Sequence, residues 1–169
     1  MNTVLLVIHI GSGTLGLLLG PTVVWRETKR LLAGRLANSA LGAAYDATIL
    51  LICVSAIALV VASRPDLWLL VPVAVASYCL VRLGRIAGGR PFPSWSHAYV
   101  HGIGGSYIAL VTALVVVALT VDGPVKGPAE VIPWVLPAAL GTPLIEMWRR
   151  YLLRSLQGQR QRLRTATPA

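Results

Sequence analysis

The chain has 169 residues, of which 56% are hydrophobic and only 12% charged, whereas soluble domains carry about 25% charged residues. Mean hydropathy is +0.72, and apolar runs of about 20 residues recur, the length that crosses a hydrocarbon core about 30 Å thick. A soluble globular domain is therefore excluded, and the lack of apolar/polar alternation excludes the strands of a membrane barrel.

The net charge of +9 has to be read by position. Segments 26–38, 82–96 and 149–169 hold thirteen of the fifteen Lys and Arg residues, leaving only Arg64 and Lys126 elsewhere. Asp66, Asp122 and Glu130 lie in the opposite loops. This is the positive-inside pattern, so the basic segments are expected in the cytoplasm against anionic headgroups, and no nucleic-acid partner is expected. The predicted fold is all-α: a polytopic bundle of five transmembrane helices, N-terminus outside and C-terminus cytoplasmic.

The first helix is predicted at about 4–24. It starts after Met1-Asn2-Thr3, without the basic n-region of a signal peptide, and reads as a retained span. His9, Gly13, Gly16 and Gly20 recur at intervals of four, three and four. They share one face that lets another helix approach closely, with His9 a packing or hydrogen-bonding group near the outer interface. Pro21 and Trp25 mark the helix end, and WRETKRLLAGR reads as a cytoplasmic loop. Helix two, about 41–62, carries Tyr45 and Asp46 in its first turns. A carboxylate at that depth needs a partner or sits at headgroup level against the helix dipole.

ASRPDLW is a tight outer turn, and helix three follows at about 67–83, with Arg82 and Arg85 able to snorkel to the cytoplasmic face. AGGRPFPSWS is an irregular connection with Trp95 placed at the interface. Helix four, about 98–121 with Ser96 as N-cap, presents Gly102, Gly105, Ser106, Ala109 and Ala113 as a second small-residue face, expected to pack on the glycines of helix one. Helix five, about 131–148, contains Pro133, Pro137 and Pro143, and the last two predict kinks. Residues 1–150 thus form the bundle. Residues 151–169 form a basic cytoplasmic tail, an interfacial amphipathic helix at first and disordered at its end. Cys53 and Cys79 lack metal or CxxC spacing and read as buried small hydrophobes.

Topology places Asp46, His97, His101 and Glu146 at the cytoplasmic end, a candidate polar cluster. His97 and His101 are at i and i+4 on one helix face, and with two carboxylates they match what zinc or iron would want. HAYVH lacks the glutamate of an HExxH motif, and headgroup-level hydrogen bonding is the preferred reading of both histidines. A bis-histidine haem is disfavoured: His9 lies at the opposite face from His101, and His97 and His101 cannot take opposite sides of one ring. No nucleophile elbow or Walker-type loop is present, so the catalytic residues and any cofactor stay unassigned.

Three stretches, HIGSGTLGLLLGP, HGIGGSYIALVTA and LPAALGTPLI, resemble a broad bacterial family of small integral membrane proteins known only as a domain of unknown function. The resemblance covers most of the membrane region and is most specific at SYIALVTA. It implies the multi-pass fold and no established activity. The family carries a further histidine in the first basic loop, and WRETKRLLAGR has none.

The leading functional expectation is a bacterial inner-membrane protein that acts as a binding, sensing or accessory subunit, as a homo-oligomer or in a larger membrane complex. One alternative is a proton-coupled transporter using Asp46, His101 and Glu146. Another is a metal- or redox-dependent membrane enzyme built on the same cluster. No inverted repeat of the kind found in transporters is evident.

Overall fold

In the computed structural model, residues 3–89, 94–121 and 123–166 are described. The described chain is all-helical, with five helices long and apolar enough to cross a membrane. These are α1 (Thr3–Leu32), α2 (Ala40–Ser63), α3 (Leu70–Gly89), α4 (Trp95–Val116) and α5 (Val131–Ala166). The chain is a multi-pass membrane protein. α4 lies at the centre, against α3, α5 and α1, and α2 fills the space between α1 and α3.

Two helices run well beyond their predicted ends. α1 does not stop at residue 24 but continues for 30 residues, about 45 Å of rise and longer than the hydrocarbon core is thick. WRETKRLL is therefore helix rather than loop. Its Arg, Glu, Lys and Leu residues favour helix, and Lys29 and Arg30 complement the dipole in the last turn. Gly34, at φ 71°, then ends it. The Gly34 amide donates to Leu31 O (3.0 Å) and the Arg35 amide to Arg30 O (2.9 Å), the paired bonds of a Schellman stop that only glycine adopts without strain. α5 likewise passes residue 148 and runs for 36 residues with Pro137 and Pro143 inside it. The boundary read between bundle and tail falls within this helix. Residues 151–166 are helical, so the helix expected for the first part of the tail extends further, and residues 167–169 lie outside the described part.

The other bounds shift less. α2 matches its prediction, with Ser39 as N-cap accepting from the Gly42 amide at 3.1 Å. α3 covers Leu70–Gly89 instead of 67–83, because residues 65–67 form a separate 3-10 turn. α4 starts at Trp95 behind Ser94, so Ser96 is a buried helix residue and not the cap. Beyond Val116 the helix widens into a π-turn at Val117–Val121. The irregular connection at 90–93 and Asp122 lie outside the described residues.

The glycine faces pair differently from the expectation. Gly102 of α4 meets α3, not α1. A Cβ there would lie 2.4 Å from Gly84 N and 2.5 Å from Gly84 Cα, and one on Gly84 would lie 2.7 Å from Ile103 N. Backbone touches backbone at this crossing, the close approach that small residues permit in lipid. Gly105 also faces α3, through Leu80 at 3.4 Å.

On α1, Gly16 and Gly20 do receive α4, but through large side chains. A Cβ on Gly16 would lie 3.1 Å from Leu110, and one on Gly20 2.2 Å from the Tyr107 ring. A Cβ on Gly13 would meet nothing within 4 Å, so no close helix approach depends on this glycine. Ser106 is fully buried, donates to Ile103 O and lies 3.2 Å from the Tyr45 hydroxyl of α2. Tyr45→Phe removes this one interhelical bond and is expected to cost about 1 kcal/mol, read as a small drop in the detergent melting temperature. Cys53 is buried and its thiol reaches Ala74 O at 3.0 Å, whereas Cys79 is exposed, contrary to its expected burial.

Candidate functional site

The polar groups of the basic end assemble around a residue that sequence reasoning left in a loop. Glu27, in the last turns of α1, is only 2% exposed. One of its oxygens, Oε1, accepts from the Ser39 amide (3.2 Å) and from the Ser39 hydroxyl. The Ser39 carbonyl in turn accepts from Arg85 Nη1 of α3 at 3.3 Å. The N-cap of α2 is thus held by an α1 carboxylate on one side and an α3 guanidinium on the other. Gly42 lies directly beneath. A Cβ there would sit 2.6 Å from Arg85 Nη1 and 3.3 Å from Glu27 Oε1, so a side chain at this position would have to displace the end of Arg85.

Asp46, one turn further along α2, does find a partner, which settles the two readings of it in favour of pairing. Its Oδ2 accepts from Arg82 Nη1 at 2.8 Å and lies 3.9 Å from Arg85 Nε. Arg85 therefore stands between the two carboxylates.

From α4, Tyr99 is buried, and its ring packs edge-on against Trp148 of α5 at 5.7 Å. Trp95, half-buried, tilts against Tyr99 at 6.4 Å. Trp148 Nε1 donates to Thr28 Oγ1 of α1 at 2.8 Å, and Gln159 Nε2 to Leu32 O at the same distance. All five helices meet here. Four polar atoms are buried in this end without a hydrogen-bond partner: Glu27 Oε2, Asp46 Oδ1, Arg85 Nε and Tyr99 OH. Two can accept, and the other two can donate.

The expected cluster of Asp46, His97, His101 and Glu146 does not form. Each member has been drawn to a nearer partner. Glu146 is bound by Arg149 (2.8 Å) and Arg150 (3.0 Å) on its own helix, a pairing that i,i+3 and i,i+4 spacing favours. His97 and His101 stack on each other at 3.9 Å, and His101 Nδ1 lies 3.1 Å from His97 O. The stacking keeps the two rings together but brings neither carboxylate to them. Among the described residues, no three of His, Cys, Asp and Glu are grouped closely enough to hold a metal ion. His9, at the far end of α1, lies 2.9 Å from Ser55 Oγ of α2, a hydrogen-bonding position.

Comparison with protein-family models, with curated proteins and with solved structures yields no match. The chemistry of the site therefore stands on its geometry alone. Carboxylates and guanidiniums joined through Asp46, Arg82, Arg85, Ser39 and Glu27 can lock helix ends together. The two carboxylate oxygens without a hydrogen bond can also accept a proton, although Arg30 Nε lies 3.7 Å from Glu27 Oε2.

Glu27 had a signal in the sequence. The α1 residues that are buried, Ser12, Gly16, Gly20, Val23, Glu27 and Leu31, continue the spacing of three and four that began in the glycine stripe. Following that stripe past Pro21 leads to Glu27. Arg85 and Tyr99 carried no such mark, because their roles depend on where α3 and α4 cross.

Asp46→Asn leaves the aspartate's shape but removes the charge that Arg82 and Arg85 share. We expect a small loss of stability, because Arg82 is half exposed and solvent screens the pair, measured by thermal unfolding in detergent. No change in the melting curve would mean that the pair is solvated and idle.

Proposed function

We propose that this chain is a multi-pass protein of the bacterial cytoplasmic membrane that serves as a binding, sensing or accessory subunit, as a homo-oligomer or within a larger membrane assembly. On this reading the N-terminus is outside and the basic end lies in the cytoplasm, where its arginines meet anionic headgroups. The likeness of HGIGGSYIALVTA and its companion stretches to small bacterial membrane proteins is consistent with this placement.

The observation that carries the reading is how the ionisable groups are used. Asp46 is held by arginines of α3, Glu146 by arginines of its own helix, and Glu27 by Ser39. Asp46 and Glu27 tie helices together, and Glu146 is neutralised within α5. What remains for interaction is the outer surface. In α5, Pro133 and Leu152 are the only buried residues among those described, and Leu136, Leu140 and Leu144 are exposed along one side.

The test is in-cell crosslinking followed by purification in mild detergent. We expect a discrete crosslinked species, either an oligomer or one defined partner, that is lost when Leu136, Leu140 and Leu144 are together changed to alanine. A chain that crosslinks to nothing, or whose product is insensitive to those changes, would contradict the proposal.

One observation favours a proton-coupled carrier as the second reading. Glu27 keeps a buried oxygen without a hydrogen-bond partner, and ionisable groups in membrane proteins are often functional. Its role would replace the one expected of His101 and Glu146.

A further inference from the structure

The end opposite the basic cluster contains a cavity of about 320 Å³ between the α2–α3 turn and the α4–α5 connection. Its walls carry charges of both signs. On one side Arg64 Nη2 binds Asp66 Oδ2 at 2.9 Å, and this guanidinium holds the Asp66 carboxyl below the usual carboxylate range. On the other side stand Lys126, Glu130 and Trp134, while Leu70 and Val116 supply an apolar wall.

Lys126 and Glu130 are each fixed by backbone. The π-turn at Val117–Val121 widens the end of α4, and such turns often mark functional positions. Lys126 Nζ donates to the Thr120 carbonyl and lies 3.4 Å from the Val121 carbonyl. Glu130 Oε1 accepts from the Gly127 amide at 3.1 Å. An ammonium and a carboxylate are therefore set on one cavity with little freedom to neutralise each other.

The depth of the cavity narrows the ligand. Ser63 and Leu70 bound the turn between two spans, and Val121 and Val131 bound the next connection, so the cavity sits where spans leave the hydrocarbon. Trp68 is 62% exposed beside it, as an interfacial aromatic would be.

We propose that this cavity binds the headgroup of a zwitterionic phospholipid, phosphoethanolamine. Its phosphate would face Lys126, its primary ammonium would face Glu130, and its acyl chains would descend along Leu70 and Val116. A choline headgroup has the same charges but no N–H to donate to Glu130, and a glycerol headgroup has the anion but no cation. The cavity chemistry therefore separates the three.

Native mass spectrometry of the full chain in mild detergent, titrated with phosphatidylethanolamine, phosphatidylcholine and phosphatidylglycerol of identical acyl chains, tests this. We expect phosphatidylethanolamine to be retained about tenfold better than phosphatidylcholine, the effect of one or two charge-assisted hydrogen bonds. Glu130→Gln should bring these two lipids level, and Lys126→Ala should weaken both. Glu130 and Lys126 are exposed, and both variants should melt as the parent does. Equal retention of all three lipids, a preference for phosphatidylglycerol, or a preference unchanged in Glu130→Gln would overturn the proposal.

Discussion

Glu27→Ala is expected to destabilise the bundle by about 3 kcal/mol or more, the cost of removing one member of a buried charged network. For a chain of this size that lowers the detergent melting temperature by roughly 10 °C. The reason is local. Without the carboxylate, the Ser39 amide and hydroxyl lose their acceptor, and Arg30 loses the carboxylate oxygen 3.7 Å from its Nε. The N-cap of α2 and the lower ends of α1 and α3 then come apart together. Glu27→Gln keeps an acceptor for Ser39 and should lose about half as much. If alanine and glutamine cost the same, the charge is the whole effect and the hydrogen bonds to Ser39 contribute nothing.

The second large effect is steric. Gly102→Ala places a methyl group 2.4 Å from Gly84 N and 2.7 Å from Leu80 O, where no flexible side chain can move aside. α3 and α4 must separate along their crossing. We expect about 3 kcal/mol of destabilisation, the upper range for overpacking. Gly13→Ala is the matched control, since its new methyl group meets nothing within 4 Å. Alanine is the better helix former by up to about 1 kcal/mol, so that variant should melt at or slightly above the parent. Parallel thermal unfolding of the two variants decides the matter, and equal behaviour would mean that the α3–α4 contact is looser than the geometry implies.

The five spans were legible because hydropathy and loop charge are properties of the chain itself. Helix ends were less so. WRETKRLL is basic and follows Pro21, which looks like a loop, yet its helix propensity carries α1 to the Gly34 stop. Only the first part of the tail was read as helix, because its later residues are too polar to mark a helix by hydropathy, yet α5 runs on to Ala166. Glycine stripes told which faces pack but not upon what, and Gly102 chose Gly84 over the glycines of α1. The expected site failed for a related reason. Proximity to one membrane end does not bring side chains together, and Glu146 was captured by Arg149 and Arg150 before any histidine could reach it. Asp46 was recognisable as a carboxylate that needed a partner, and Arg82, already placed at the same end, supplied it.

The most direct test of whether the basic end holds helices or moves protons is proton flux into proteoliposomes driven by an imposed pH difference and a potassium diffusion potential. The wild-type chain should conduct no more than empty vesicles, and Glu27→Gln and Asp46→Asn should behave identically to it. A wild-type flux that disappears in a folded Glu27→Gln variant would contradict this account and make the buried carboxylate a proton carrier.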